Sequence, residues 1–268
     1  MCENCGCSGH HHEHVHEHNH GHAHHTDDIC EHTHTRPDGS TYTHVHDHTE
    51  AREVTIGSAI LSANNQIAEC NRQWFAEHRV LALNLISSPG SGKTALLVET
   101  LRRLQEKNIS CAVIVGDQYG DIDARRMQNS GFPVTHIETH SSCHLDARRI
   151  RDVLVTAVPE NTQIVFIENV GNLVCPVAFD LGENAKIALL SAPEGEEKPL
   201  KYPALFAAAE LILLTKCDLD EVLEYDSHTA IENINHINPR AKILRCSAKS
   251  KEGMDGWIKF LLDKIQSF

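Results

Sequence analysis

Val80-Leu81-Ala82-Leu83-Asn84-Leu85-Ile86-Ser87-Ser88-Pro89-Gly90-Ser91-Gly92-Lys93-Thr94-Ala95-Leu96-Leu97 is the stretch on which the fold turns. An apolar run ends in a glycine-rich turn and a helical pattern follows at once. This is the arrangement of a loop that holds nucleotide phosphates. A tight turn through Pro89, Gly90, Ser91 and Gly92 aims successive backbone N–H groups at phosphate oxygens, the following helix offers its positive end, and Lys93 adds a full catalytic charge. The Thr94 hydroxyl is placed to ligate Mg²⁺. Ser87 stands where the common GxxxxGK(S/T) pattern has its first glycine. A strand before and a helix after still favour the phosphate reading over an ordinary glycine-rich turn.

Working outward, apolar runs recur at Cys111–Val115, Gln163–Ile167, Ile187–Leu190, Leu211–Leu214 and Lys242–Leu244, with helical patterns between several of them. This alternation predicts an α/β fold, a P-loop NTPase with a mostly parallel central sheet covered by helices on both faces. Ligands of such sheets sit at the carboxyl ends of the strands, where polar groups cluster. Asp117 follows the second run and is expected to orient the attacking water or to hold Mg²⁺; Glu168 ends the third and is assigned to Mg²⁺ with Thr94. Asp121 and Asp123 read equally well as acids capping a helix.

Thr215-Lys216-Cys217-Asp218 follows the run Leu211–Leu214 and resembles the guanine-reading NKxD motif of GTPases, with Thr in place of Asn. The Asp218 carboxylate can accept from guanine N1–H and the 2-amino group, donors that adenine lacks there. Lys216 can lay its methylene stem against the base. Ser247-Ala248-Lys249 matches the SAK motif that offers backbone N–H to guanine O6. One such tetrapeptide is weak evidence; two in the right order behind a phosphate loop are strong.

The chain has 268 residues, 41% of them hydrophobic, with a formal net charge of −13, 21 histidines and 10 cysteines. That length fits one α/β domain and an appendage. Clustered Lys and Arg are lacking, which argues against nucleic acid. No apolar run is long enough to span a bilayer, and no basic-then-apolar leader is seen, so a cytoplasmic protein is expected. In a reducing compartment the cysteines read as metal ligands, packing residues or reactive thiols.

Residues 1–50 hold 15 of the histidines and 4 of the cysteines. Cys2, Cys5 and Cys7 can converge on one soft or borderline ion, with Gly6 loosening the backbone between them. Ten histidines lie between His10 and His25, and His32, His34, His44, His46 and His48 continue at alternating spacing. Imidazoles on a loose chain suit buffering better than catalysis. With so little apolar surface, no fixed fold is expected before about residue 50. The organisation predicted is therefore a disordered Cys- and His-rich tail over 1–50, a helical lead-in over 51–79 and the P-loop domain over 80–268. In the lead-in, Ile56, Ile60, Ile67, Trp74 and Phe75 are the expected apolar contacts, and Cys70 reads as a small buried residue. Cys111, Cys217 and Cys246 are assigned to packing.

Cys2-x-x-Cys5-Gly6-Cys7, Ser87–Thr94, Cys143-His144-Leu145-Asp146-Ala147 and Glu168-Asn169-Val170-Gly171-Asn172-Leu173-Val174-Cys175-Pro176 together resemble the hydrogenase nickel-incorporation GTPases called HypB. The resemblance covers residues 1–7 and about 80–250. It implies a SIMIBI-class GTPase that forms a homodimer with GTP and delivers Ni²⁺ to the precursor of the large subunit of a [NiFe]-hydrogenase, working with a HypA-type nickel chaperone. It also implies that Cys143, His144 and Cys175 bind Ni²⁺ or Zn²⁺ at the dimer interface; His136 and His140 are nearby alternatives, read rather as surface histidines. A urease-type nickel GTPase is the competing enzyme reading, against which the thiol triad and the ENVGNLVCP stretch argue. A B12-trafficking GTPase leaves Cys2, Cys5 and Cys7 unexplained. A protein chiefly for nickel storage is the reading from another class.

Overall fold

The computed structural model describes residues 29–35, 39–47 and 49–268. Cys2, Cys5, Cys7, His48 and the histidines from His10 to His25 lie outside these residues. Two units are present, residues 1–55 and residues 56–268.

Within the first unit, β1 (Ile29–Thr35) and β2 (Thr41–Asp47) pair antiparallel as a hairpin, in register from Ile29 opposite Asp47 to Thr35 opposite Thr41. The expectation of no fixed fold before residue 50 therefore fails for this stretch. Both strands alternate His with Thr, Glu or Val, a pattern of period two rich in β-branched residues, and Pro37-Asp38-Gly39 between them is a turn sequence. Gly39 adopts φ +83°, which such a turn requires.

The remaining elements are α1 (Thr49–Glu77), β3 (Leu81–Ser87), α2 (Lys93–Glu106), β4 (Cys111–Asp117), α3 (Ile122–Gln128), β5 (Val134–Glu138), α4 (Ala147–Ala157), β6 (Ile164–Glu168), α5 (Cys175–Ala178), β7 (Ala185–Ser191), α6 (Lys198–Lys201), α7 (Pro203–Ala208), β8 (Leu211–Thr215), α8 (Ser227–Ile237), β9 (Lys242–Cys246) and α9 (Met254–Ser267). Seven strands form one sheet in the order β5-β4-β6-β3-β7-β8-β9. Every pairing in it is parallel. All six apolar runs read from sequence are strands of it. The seventh, β5, escapes a search for apolar runs because Val134-Thr135-His136-Ile137-Glu138 is an edge strand of mixed character, only partly buried.

Strand alternation distributes the core. Leu81, Leu83 and Leu85 of β3 pack with Leu97 and Leu101 of α2 and with Trp257 of α9 on one face. Ala82 faces the opposite layer, where Phe75 of α1 and Ile150 and Leu154 of α4 cover one half. Phe206 of α7 and Ile234 of α8 cover the other half, over Ile86 and Leu190. Helices thus cover both faces, as a parallel sheet buried on both sides demands.

The lead-in is a helix, but its buried stripe differs from expectation. Asn64, Ala68, Asn71 and Phe75 are buried at helical spacing. Ile60 is 53% exposed, Ile67 and Trp74 are half-buried, and the Ile56 side chain is outside the description. Cys70 lies off this stripe and is exposed, which corrects its assignment to the core. The two asparagines serve as clamps: Asn64 accepts from Ala147 N at 2.9 Å and donates to Asp180 O at 2.8 Å, while Asn71 donates to Ala147 O at 2.8 Å and Leu181 O at 3.0 Å. They fix the start of α4 and the segment before β7.

Cys111, Cys217 and Cys246 are buried as expected, and burial pushes the Cys111 and Cys246 thiols up to about 12. On the α2 face, fully buried Trp257 donates its indole N–H to Thr100 Oγ1 at 2.9 Å. Replacing Trp257→Phe removes that bond and leaves a small void, so unfolding in urea should show a stability loss of about 1–3 kcal/mol, with nucleotide affinity of the folded protein unchanged.

Candidate functional site

The carboxyl ends of β3, β4 and β6 open into a cavity of about 410 Å³ lined by the phosphate loop, Asp117, Glu168 and Asn169. Gly92 turns the chain into α2 with φ +99°, a conformation costly for any residue with a Cβ. Ser87, at the missing glycine position, is fully buried and accepts from Lys93 Nζ at 2.8 Å. It also bonds Ser91 Oγ. Thr94 Oγ1 donates to Glu168 Oε1 at 2.8 Å.

Burial dominates the electrostatics. It holds the Lys93 ammonium below its ordinary value, a shift that the Glu168 carboxylate opposes. Burial likewise pushes Glu168 up to about 7, against the pull of Lys93. Glu168 Oε2 is buried with no hydrogen-bond partner. An orphaned carboxylate oxygen beside a threonine hydroxyl is a hard, oxygen-rich donor set that suits Mg²⁺ and the waters it retains. Asp117 lines the same cavity, and its Oδ1 accepts from Gln118 N at 2.7 Å. It is not bonded directly to Thr94 or Glu168.

Next to the phosphate loop lies a second cavity, of about 270 Å³, between Gly92, Ala95, Lys216, Asp218, Ser247 and Ala248. Thr215 Oγ1 donates to Ser91 O at 2.7 Å and Lys216 Nζ to Gly90 O at 2.7 Å, so the end of β8 is tied to the phosphate loop. Asp218 Oδ1 accepts from Ser247 Oγ at 2.6 Å. The same hydroxyl accepts from Lys249 N at 3.1 Å, and Ser247, Ala248 and Lys249 all line the cavity. Cys246, assigned only to packing, also lines this cavity.

Cys143, His144 and Cys175 converge: one ligand atom from each lies within 4.8 Å of the others. Cys143 Sγ is 3.8 Å from His144 Nδ1. The His144 ring stacks on Phe179 at 3.8 Å, and burial lowers the basicity of its imidazole. Asn172 Oδ1 receives Val174 N at 2.7 Å and Cys175 N at 3.3 Å, which sets Cys175 at the start of α5. Two thiols and one imidazole suit Ni²⁺ or Zn²⁺ over Mg²⁺. His136 and His140 are not part of this group; His140 is exposed beside Glu138, while His136 Nε2 is buried without a hydrogen-bond partner.

One buried side chain spans both sites. Asn169 lines the phosphate cavity, and its Oδ1 accepts from Leu145 N at 3.1 Å, the amide next to His144. Its Nδ2 donates to Asn84 Oδ1 at 3.2 Å, and Asn84 in turn donates to Glu183 Oε1 at 3.1 Å.

The family model described as "CobW/HypB/UreG, nucleotide-binding domain" matches residues 81–245. The hydrogenase maturation factor HypB of Escherichia coli is 48% identical over 223 residues, covering 83% of this chain and 77% of the relative. This chain belongs to the HypB family. Among solved structures, HypB from Archaeoglobus fulgidus is 35% identical with a TM-score of 0.71, covering 76% of this chain and 99% of that one. HypB from Helicobacter pylori, determined in complex with nickel, is 33% identical with a TM-score of 0.72, covering 76% and 96%. These confirm a SIMIBI-class P-loop fold and a nucleotide-binding domain of the HypB kind.

Sequence reasoning missed three contributors to the HypB-type cleft. Asp123, read as a possible cap, lines the phosphate cavity together with Arg126, and its charge acts on Lys93 and Glu168. Arg126 pairs with Asp123 at 3.3 Å. The spacing Asp123-x-x-Arg126 on one helical face was the available signal. Gly171 is the third: a Cβ there would lie 2.9 Å from the Pro89 Cα and 3.0 Å from its nitrogen, so the loop after β6 rests against the phosphate loop only because this residue has no side chain. Gly171→Ala should force the two loops apart and weaken nucleotide binding about tenfold or more, given the usual 1–3 kcal/mol cost of overpacking, as read by calorimetric titration.

Proposed function

We propose that this chain is a GTP-hydrolysing metallochaperone that binds nickel and delivers it during maturation of a [NiFe]-hydrogenase. The observation that carries the reading is Asn169, whose single side chain reaches from the phosphate cavity to the loop bearing Cys143 and His144. A change at the γ-phosphate therefore has a short, buried route to the metal ligands, and Cys175 lies seven residues beyond Glu168 on the same loop.

In this reading the backbone of Pro89–Gly92 and the Lys93 ammonium hold the β- and γ-phosphates and offset the charge that spreads over the γ-oxygens. Thr94, Glu168 and Asp117 would hold Mg²⁺, which would supply Lewis-acid neutralisation of phosphate charge. Asp117 also orients the attacking water. Asp218 accepts the two guanine donors while Ser247 fixes its carboxylate, and Lys216 covers the base. A base without those donors leaves the carboxylate unsatisfied in the cavity, which is what excludes ATP.

Ni²⁺ is cargo. Cys143, His144 and Cys175 supply three donors, and a second copy related by a two-fold axis supplies the rest, so a GTP-dependent homodimer both completes the metal site and times its opening. Zn²⁺ fits the same donors. Cys2, Cys5 and Cys7 form a further soft site and the histidine run a reservoir. A HypA-type nickel chaperone and the hydrogenase large-subunit precursor are the partners, in the cytoplasm. Among the described residues no helix is long and apolar enough to cross a membrane.

Two measurements test this reading. Asp218→Asn replaces two acceptors by one donor and one acceptor, so competition binding should show preference moving from GTP towards XTP; unchanged GTP selectivity refutes the base-reading role. The mass of the assembly and its bound Ni²⁺ should differ between GDP and a non-hydrolysable GTP analogue in the wild type. Cys143→Ala should abolish the nucleotide-dependent part of Ni²⁺ binding, and equal Ni²⁺ affinity in both nucleotide states of the wild type removes the coupling.

A further inference from the structure

The register of the hairpin sets Cys30 opposite His46, His32 opposite His44 and His34 opposite Tyr42. Residues directly opposed in an antiparallel pair share a face, and neighbours along a strand alternate between faces. Cys30, His32, His34, His44 and His46 therefore all fall on one face of the ribbon. The other face carries Ile29, Glu31, Thr33, Thr35, Thr41, Thr43, Val45 and Asp47, with neither a cysteine nor a histidine among them. Histidines scattered for buffering have no reason to respect strand parity.

We infer that this face is a transition-metal site in its own right, in which Cys30, His46, His32 and His44 take up one Ni²⁺ or Zn²⁺. Opposed positions have Cβ atoms about 4.5–5.5 Å apart, and the next position on the same face is about 7 Å along the strand. Four donors thus start from the corners of a rectangle about 5 Å by 7 Å, a span that imidazole and thiolate side chains close readily onto one ion with bonds of about 2.0–2.3 Å. One thiolate with three imidazoles is a borderline-soft set that rejects Mg²⁺ and Ca²⁺. Two ligands come from each strand, so the ion staples the strands together. A two-stranded hairpin is marginal by itself in water, and coordination across it couples metal uptake to hairpin formation. The site is distinct from Cys143, His144 and Cys175, and from a loose histidine run in which any imidazole replaces any other. It does not rest on the proposed nucleotide activity.

The test uses the full chain with Ni²⁺ as the probe and compares the wild type with a parity variant, His32→Thr combined with Thr33→His. Composition is unchanged, but one ligand moves to the opposite face. In the wild type, Ni²⁺ should slow hydrogen exchange of the amides in 29–35 and 41–47. The parity variant should lose that protection and retain one ion fewer per chain after dialysis. Cys30→Ser should weaken the site and remove its thiolate-to-nickel absorption, whereas His22→Ala should leave the protection intact. Cys143→Ala should also leave it intact, which separates this inference from the metal site near the nucleotide. Equal protection and equal retention in the wild type and the parity variant would show that histidine content alone matters and would overturn the site, as would a wild type whose hairpin amides ignore Ni²⁺.

Discussion

The hydrogen bond from Leu145 N to Asn169 Oδ1 is the constraint around which the cleft is organised. Asn169 is almost wholly buried, so each of its polar atoms must be matched inside the protein. Its Oδ1 also receives its neighbour Val170 N at 3.0 Å, which bends the chain away from β6, and its Nδ2 reaches Asn84 in the central strand. One amide therefore fixes the loop after β6, the loop before α4 and their common distance from β3. Losing any partner would strand a buried polar group, at a cost of about 1–3 kcal/mol. That penalty holds two chemically unlike groups of side chains, one of oxygen donors and one of sulfur and nitrogen donors, in fixed proximity.

A polar chain of this kind is unusual inside a sheet whose buried positions are mostly aliphatic. Asn84 occupies a fully buried position on β3 between Leu83 and Leu85. It is matched on one side by Asn169 and on the other by Glu183, and Glu183 is in turn paired with Lys186 at 2.9 Å and accepts from Leu181 N at 2.7 Å. From the far end, the helix α1 grips the same region through Asn64 and Asn71. The loops at the carboxyl edge are thereby positioned by the core and by α1 together.

Much of this was legible in the sequence, and the exceptions have physical reasons. Six strands announced themselves because a parallel sheet buried on both faces needs continuous apolar runs, and the phosphate loop announced itself because its chemistry admits few residue types. The triad of Cys143, His144 and Cys175 was implied by family resemblance; no spacing rule brings residues more than thirty positions apart to one point. Asp123 and Arg126 stayed hidden because a helix with acid and base three residues apart reads as ordinary surface. Gly171 stayed hidden because what makes it necessary is the proximity of Pro89, a tertiary fact. Cys70 and Ile60 were misread because α1 buries asparagines in the places where apolar residues were sought. The hairpin was overlooked because composition spoke for disorder while the alternation of His with Thr spoke, more quietly, for strands.

Ser87 gives the phosphate loop a property that a glycine could not. The Lys93 ammonium sits in an enclosed place where a bare cation is unfavourable, and the Ser87 hydroxyl 2.8 Å away gives it an oxygen from its own loop. The direction of the Lys93 side chain is therefore set from within the turn that carries it, and a glycine at position 87 would offer no such hydroxyl.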